Sequence, residues 1–283
     1  MGQAGSVDDA YEPVSSPLSP AVARLRAPAK LTVSLRVVGV RDDGYHLIDA
    51  EMVTVDLFDE LFVAPGDRLD VVDEVVGGIG CPTVSAGPEN LVSRALRAIG
   101  RQAAVRLVKR VPAGAGLGGG SADAAAILRW AGVNDPSVAL TLGADVPFCL
   151  VGGRARVRGV GEEIERLDSE ARSYVLLLPP VGIDTAACYR AWDELGSTGS
   201  EGDNDLEEAA VRLEPALARW RDTLGAVCGQ RPRMAGSGST WFVEGEPEEL
   251  GLTGVRTLVC DGAAATLVPV RTVGPDGKGL VSR

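Results

Sequence analysis

The run from Val111 to Leu128, VPAGAGLGGGSADAAAIL, sets Gly114, Gly116, Gly118, Gly119 and Gly120 ahead of Ser121, Asp123 and a stretch of alanines. Glycine costs backbone entropy on folding, so a cluster this dense calls for a close approach of something to the main chain. Gly114-x-Gly116-x-x-Gly119 satisfies the dinucleotide fingerprint. The segment that follows, NDPSVALTLGADVP, is not the apolar strand ending in an acid that such a site needs. A Walker A loop is excluded, because no Gly-Lys-Ser/Thr follows the glycines. A tight turn between strand and helix accounts for one or two glycines, but not for five followed by a serine and an acid. A phosphate cradle accounts for all of them: backbone N–H groups at a helix N-terminus face a polyphosphate, and no side chains stand in the way.

Two further stretches supply what a cradle lacks. Asp145 stands among small and apolar neighbours in LGADVPF, and Lys30 opens an apolar strand in APAKLTVSL. Taken singly, Asp145 reads equally well as a cap and Lys30 as a lysine whose stem lies along apolar surface. Beside a phosphate loop they form one chemical set. A carboxylate accepts a hydroxyl proton, and an ammonium keeps that carboxylate ionised and neutralises the phosphoryl group. Lysine scarcity sharpens the point, since only Lys30, Lys109 and Lys278 occur among 28 basic residues. GSGST, Gly236 to Thr240, is a second small-residue turn, read either as a plain turn or as a backbone approach to substrate. His46 is the single histidine, so any His-activated nucleophile would have to run through it; a solvated turn histidine is the plainer reading.

These residues need elements to position them. KLTVSLRVVGV alternates as a half-buried strand, RDDGYH is a turn, and IDAEMVTVDLFDELFVAP predicts one or two more strands. PENLVSRALRAIG predicts a helix with Pro88 near its first turn, and AAVRLVKRVP a strand running into the glycine loop. SADAAAILRWAG predicts a helix capped by Ser121 with Asp123 in its first turn. FCLVGG, RARVRGVG and SYVLLL predict strands. DLEEAAVRLEPALARWRDTL predicts one amphipathic helix with Leu206, Ala210, Leu213, Leu217, Trp220 and Leu224 on its stripe. STWFVEG and RTLVCDG read as the last strands. The mixture predicts an α+β architecture with a break near residue 170.

Composition bounds the rest. A chain of 283 residues is long enough for two domains, and its net charge of −11 argues against a general grip on nucleic acid. No apolar run reaches membrane-spanning length, and the acidic, Ser/Pro-rich first 20 residues predict a disordered tail rather than a signal peptide. A cytoplasmic protein is expected, with no membrane partner, as monomer or homodimer. The five cysteines are scattered without a CxxC, which reads as reduced thiols.

The ordered series PAKLTVSLRVVGVRDDGYH, PENLV, VPAGAGLGGGSADAA, LGADVPF, PPVGIDTAACY and MAGSGST resembles the GHMP kinase superfamily. Within it, the series is most similar to the branch whose acceptor is a cytidine diphosphate-linked methylerythritol. The resemblance implies a two-domain GHMP kinase fold. An N-terminal ATP-binding domain like ribosomal-protein S5 domain 2 would span 21–170, and a ferredoxin-like domain 171–273, with tails at 1–20 and 274–283. It implies ATP and Mg²⁺, and phosphorylation of the acceptor's 2-hydroxyl in non-mevalonate isoprenoid precursor synthesis. By matching motif, Asp145 would be the general base and Lys30 its charge partner. Gly114, Gly116, Gly118, Gly119, Gly120 and Ser121 would wrap the ATP phosphates, Ser121 would help place Mg²⁺, and Asn90 would lie near the nucleoside. Tyr45 and Tyr189 would sandwich cytosine and His46 would contact it, with Thr32, Thr185, Gly236 and Ser237 also at the acceptor. The family usually has asparagine where Thr32 stands, and the segments before PENLV and between Ser121 and Leu142 are short for it. Another GHMP-type small-alcohol kinase, or a nucleotide-binding regulator on the same fold, are the alternatives.

Overall fold

Two long strands form the spine of the first half. β1 (Ala23–Val40) and β2 (His46–Ala64) pair antiparallel across the RDDGYH turn. The computed structural model describes residues 22–76, 83–196, 202–275 and 277–280. The expected tail at 1–20 and Cys81 therefore lie outside the described residues. The chain continues through β3 (Arg68–Asp73), α1 (Leu91–Ala98), β4 (Ala104–Lys109), α2 (Gly119–Trp130), α3 (Pro136–Leu142), α4 (Val146–Val151), β5 (Arg154–Gly159) and β6 (Glu163–Leu167). β2 is long enough to carry β1 on one edge, and on the other β5 along its first half and β4 along its second. β3 adds parallel to β4, and β6 antiparallel to β5.

The second half comprises β7 (Ser173–Leu178), α5 (Thr185–Glu194), α6 (Glu207–Leu213), α7 (Ala216–Cys228), β8 (Arg233–Met234), β9 (Trp241–Glu244), β10 (Thr257–Cys260) and β11 (Ala263–Arg271). Its antiparallel sheet runs β10-β11-β7-β9-β8. The chain passes from one sheet to the other between Leu167 and Ser173. Beyond β11, Val273 bridges Gly279, so part of the expected 274–283 tail is ordered as a turn. Between the sheets lies an apolar layer of Leu31, Val33, Val53 and Val55 from the first and Tyr174, Leu176, Phe242 and Val270 from the second. That layer fixes how the two halves face each other. Among the described residues no helix is long and apolar enough to cross a membrane.

Several local expectations give way to stronger constraints. α1 starts at Leu91 rather than at Pro88, because the Asn90 side chain caps it by accepting from Val92 N at 2.9 Å. α2 starts before Ser121: Gly118, at φ 65°, occupies the cap position, and Asp123 turns into the interior instead of lying in the first turn toward solvent. FCLVGG is not a strand. Pro147 stands in the first turn of α4, where its missing N–H costs nothing, and Gly152 ends the helix. The long amphipathic helix breaks at Glu214–Pro215, since the residue before proline is driven out of the α region; Leu213 is left exposed. β11, which the sequence reading passed over, contains Pro269. β10 covers only Ala263 to Thr266, so Pro269 lies where one edge of the strand is open and a lost donor is tolerated.

Cys149 in α4 and Cys188 in α5 are buried, and burial pushes both thiols up to about 12. The thiolate is the reactive form, so at pH 8 only about 1 in 10,000 of either thiol is ionised. Iodoacetamide at pH 8, read by peptide mass spectrometry, should leave both unlabelled in the folded protein and label both in 6 M guanidinium.

Candidate active site

The glycine loop is held by its other residues. After β4 the chain alternates, with Val111, Ala115 and Leu117 buried in the layer between the sheets and glycines standing between them. Gly114, Gly116 and Gly118 have φ values of 71°, 75° and 65°, a region that side chains disfavour. Backbone bonds tie the loop to three other segments: Ile183 N donates to Gly114 O (3.1 Å), Thr240 N to Ala115 O (3.3 Å) and Lys30 N to Leu117 O (3.0 Å). Gly116 crosses the GSGST turn directly. A Cβ there would collide with the Ala235 carbonyl oxygen and lie 2.8 Å from Gly238 O. A Cβ on Gly118 would lie 2.8 Å from Lys30 Cγ. The two small-residue turns thus belong to one structure, and Lys30 passes between them.

Lys30 and Thr32 lie on the same face of β1, two residues apart, next to a register shift between Pro28 and Lys30. Lys30 Nζ donates to Thr32 Oγ1 at 3.0 Å and stands 3.4 Å from Asp145 Oδ2. Thr32 therefore holds the ammonium, a contact its hydroxyl oxygen can make as acceptor. Asp145 occupies the N-cap position of α4 without making a side-chain cap bond. Its carboxylate, about one-third exposed (34%), is instead directed to Lys30. A buried cation with one partly open carboxylate partner suits a group that must meet a third, and the plain cap reading of Asp145 does not hold.

The far end is aromatic. His46, the first residue of β2, stacks on Tyr189 of α5 (centroids 4.6 Å apart, planes 29°) and meets the edge of Trp192 at 5.7 Å. Its Nε2 pairs with Asp193 Oδ1 at 2.8 Å. Burial pushes the Tyr189 phenol above its ordinary range. Tyr45 is exposed (60%), with the Arg41 guanidinium 5.5 Å from its ring centre. The ring stacked on Tyr189 here is therefore His46, not Tyr45. Thr185 Oγ1 and Ser237 Oγ are 2.9 Å apart and join the start of α5 to the second small-residue turn. Asn90 also lines the cavity, and its amide caps α1 and donates to Ser85 O at 2.8 Å.

The residues assigned to the site from the sequence, from Lys30 and Thr32 to Gly236 and Ser237, line one cavity of about 1000 Å³. Sequence reasoning missed others. Asp193, which orients His46, carried no pattern. Asn204, buried, donates to Met234 O (2.9 Å) and Gly236 O (2.7 Å) and so fixes the second turn; it too had no local signal. Lys109 and Asp123 were visible as residue types, the one by lysine scarcity and the other within the loop motif. Their pairing was not.

The GHMP kinases N terminal domain family matches residues 90–153, which carry the loop, α2 and Asp145. A 4-diphosphocytidyl-2-C-methyl-D-erythritol kinase of Paracoccus denitrificans is 40% identical over 238 residues, covering 77% of this chain and 85% of the relative. One from Cereibacter sphaeroides is 34% identical over 276 residues, covering 88% and 98%. The chain belongs to the 4-diphosphocytidyl-2-C-methyl-D-erythritol kinase family. A crystal structure of 4-(cytidine 5'-diphospho)-2C-methyl-D-erythritol kinase superposes with TM-score 0.67 at 32% identity, covering 89% of this chain and all of that one. A Methanococcus jannaschii mevalonate kinase, 11% identical with TM-score 0.56, shares the fold alone. The fold is thus the GHMP kinase fold, α+β as expected.

For a kinase of this family the crossing of the two loops sets a sharp requirement at Gly116. Gly116→Ala combines a disfavoured φ with a clash against backbone, and should destabilise the protein by about 2–5 kcal/mol. Urea unfolding of the variant beside the parent checks it; a loss under 1 kcal/mol would mean that the loops can part without cost.

Proposed function

We propose that this chain transfers the γ-phosphoryl group of ATP to the 2-hydroxyl of 4-diphosphocytidyl-2-C-methyl-D-erythritol, a step of isoprenoid precursor synthesis, with Asp145 as proton acceptor. One observation carries the residue assignment. The Lys30–Asp145 pair lies 3.4 Å apart where the glycine loop meets the GSGST turn, in the cavity that the start of α2 and the His46–Tyr189 stack also line. Membership of a GHMP kinase family supports ATP as donor.

The loop from Gly114 to Ser121 offers its N–H groups and the positive end of the α2 dipole to the polyphosphate. Asn90 and its neighbours on the cavity wall take the nucleoside. Tyr189, Tyr45 and His46 take the cytosine, stacking from the flat faces and hydrogen bonding from the edge. Thr185, Ser237 and Gly236 line the path between base and reacting hydroxyl. As the hydroxyl oxygen bonds to the γ-phosphorus, its proton passes to Asp145 and the bridging oxygen leaves with ADP. Lys30, held by Thr32, keeps Asp145 ionised before transfer and offsets charge on the phosphoryl oxygens during it. Among the described residues no cluster of three or more acidic, histidine or cysteine side chains is gathered for a metal. Mg²⁺ binds through one or two protein oxygens and the phosphates themselves; Ser121, in the first turn of α2 on the cavity wall, would hold it, and the ion would neutralise phosphate charge.

The test is ADP release with ATP, Mg²⁺ and the cytidine-linked acceptor. Asp145→Asn should lower kcat by about 100- to 10,000-fold while ADP affinity stays within threefold. Undiminished turnover would remove Asp145 as the base. Tyr189→Ala should weaken CDP binding by about 1–3 kcal/mol, read by calorimetric titration. Unchanged CDP affinity would move the cytosine elsewhere.

A further inference from the structure

Beneath the first turn of α2 lie three charges that the transfer step does not use. Lys109, the last residue of β4, is 2% exposed; Asp59 of β2 is fully buried; Asp123 of α2 is 2% exposed. Lys109 Nζ donates to Asp123 Oδ2 at 2.8 Å and to Asp59 Oδ2. The second oxygen of Asp59 accepts the backbone N–H groups of Arg110 (2.5 Å) and Val111 (2.9 Å), the first residues after the strand. Asp123 Oδ1 is buried and has no hydrogen-bond partner among the described residues. A Cβ on Gly119 would lie 3.2 Å from Lys109 Nζ, so the ammonium sits directly under the start of the helix.

Stability alone is a poor reason for this cluster. Buried ion groups lose hydration that their mutual attraction barely returns, and apolar replacements of similar volume are often as stable or more so. Two carboxylates on one ammonium, with one oxygen unsatisfied, is a costlier arrangement than a simple pair. Its geometry offers another reason. The glycine loop leaves the sheet at Lys109 and joins the helix at Gly119, and its glycines do little to hold it in one conformation. Lys109 to Asp123 ties the two ends together, while Asp59 holds the first two N–H groups of the loop and the lysine at once. A ligand-binding loop needs its support fixed before the ligand arrives.

We propose that Asp59, Lys109 and Asp123 form a clamp of positioning residues that holds the two ends of the phosphate loop at the spacing ATP requires. The clamp rests on the assignment of that loop to the ATP phosphates. Lys109 and Asp123 also reach the cavity wall, whereas Asp59 does not, so Asp59 acts on the nucleotide only through its partners.

Asp59→Asn is the first test. It keeps an oxygen for Arg110 N and Val111 N and removes the charge facing Lys109. ADP and CDP are titrated separately by calorimetry, and KM is measured for ATP and for the acceptor. ADP affinity should fall at least tenfold and the KM for ATP rise to match, with CDP affinity and the acceptor KM within twofold of the parent. A cluster that only stabilises the fold would lower the thermal midpoint and leave both affinities unchanged, and that result overturns the clamp. Should Asp59→Asn not fold, Asp123→Asn retains the Lys109–Asp59 pair and is read in the same way. A threefold or greater loss of ADP affinity supports the clamp, and an unchanged affinity overturns it. If the parent itself binds no ADP, the loop assignment falls and the clamp with it; ADP binding by the parent with unaltered variants overturns the clamp alone.

Discussion

At Gly116 two loops from opposite sheets touch with no room for a side chain between them. One is the turn that leads into α2, the other the turn that leads into β9. That contact can exist only because Ala115 and Leu117 on one side and Ala235 on the other are buried in the same apolar layer, which brings the two backbones together. Once the crossing is made, the space left beside it is small and Lys30 fills it. Its stem lies against Gly118 and its ammonium beside Gly236. The position of the Lys30 ammonium thus follows from the packing of an apolar core.

The two buried lysines of the first sheet show how the same side chain serves two ends. Lys109 is held between two carboxylates that are themselves buried. Burial pushes the Asp123 carboxyl up, against the opposing pull of Lys109. Lys30 has a hydroxyl and one carboxylate, and that carboxylate is partly open to the cavity. Buried partners hold backbone in place, while the carboxylate partner of Lys30 opens on the cavity. Exposure of the partner, more than burial of the lysine, separates the two cases.

The aromatic wall of the cavity is built on different lines. Asp193 holds His46, His46 stacks on Tyr189, and Trp192 closes the edge, so three of the four groups come from one face of α5. Asn204 reaches from the start of the α6 region to fix the turn at Gly236, next to the Thr185–Ser237 contact. These supports come from parts of the chain far from the motifs, which is why the motifs by themselves do not reveal them.

Much of this molecule was legible in its sequence, for identifiable reasons. Alternation marked β1, a continuous apolar run marked β7, and five close glycines before a helix marked the loop, because hydrophobic patterning and glycine's backbone freedom are local properties. The motif residues were legible as chemistry because Lys30, Asp145 and the loop have few other uses in combination. Helix boundaries were less so. Gly118 rather than Ser121 caps α2, and Pro147 and Pro215 reset α4 and α6–α7, since caps and prolines compete with one another and packing decides between them. What the sequence by itself determined is the set of groups and their order along the chain. Which of them meet was decided by tertiary structure. Asp59 and Lys109 are 50 positions apart, His46 and Asp193 147, and only the pairing of β2 with β4 and the docking of α5 bring them within bonding distance. A charge's partner depends on the whole path of the chain between them, and no local pattern records that path.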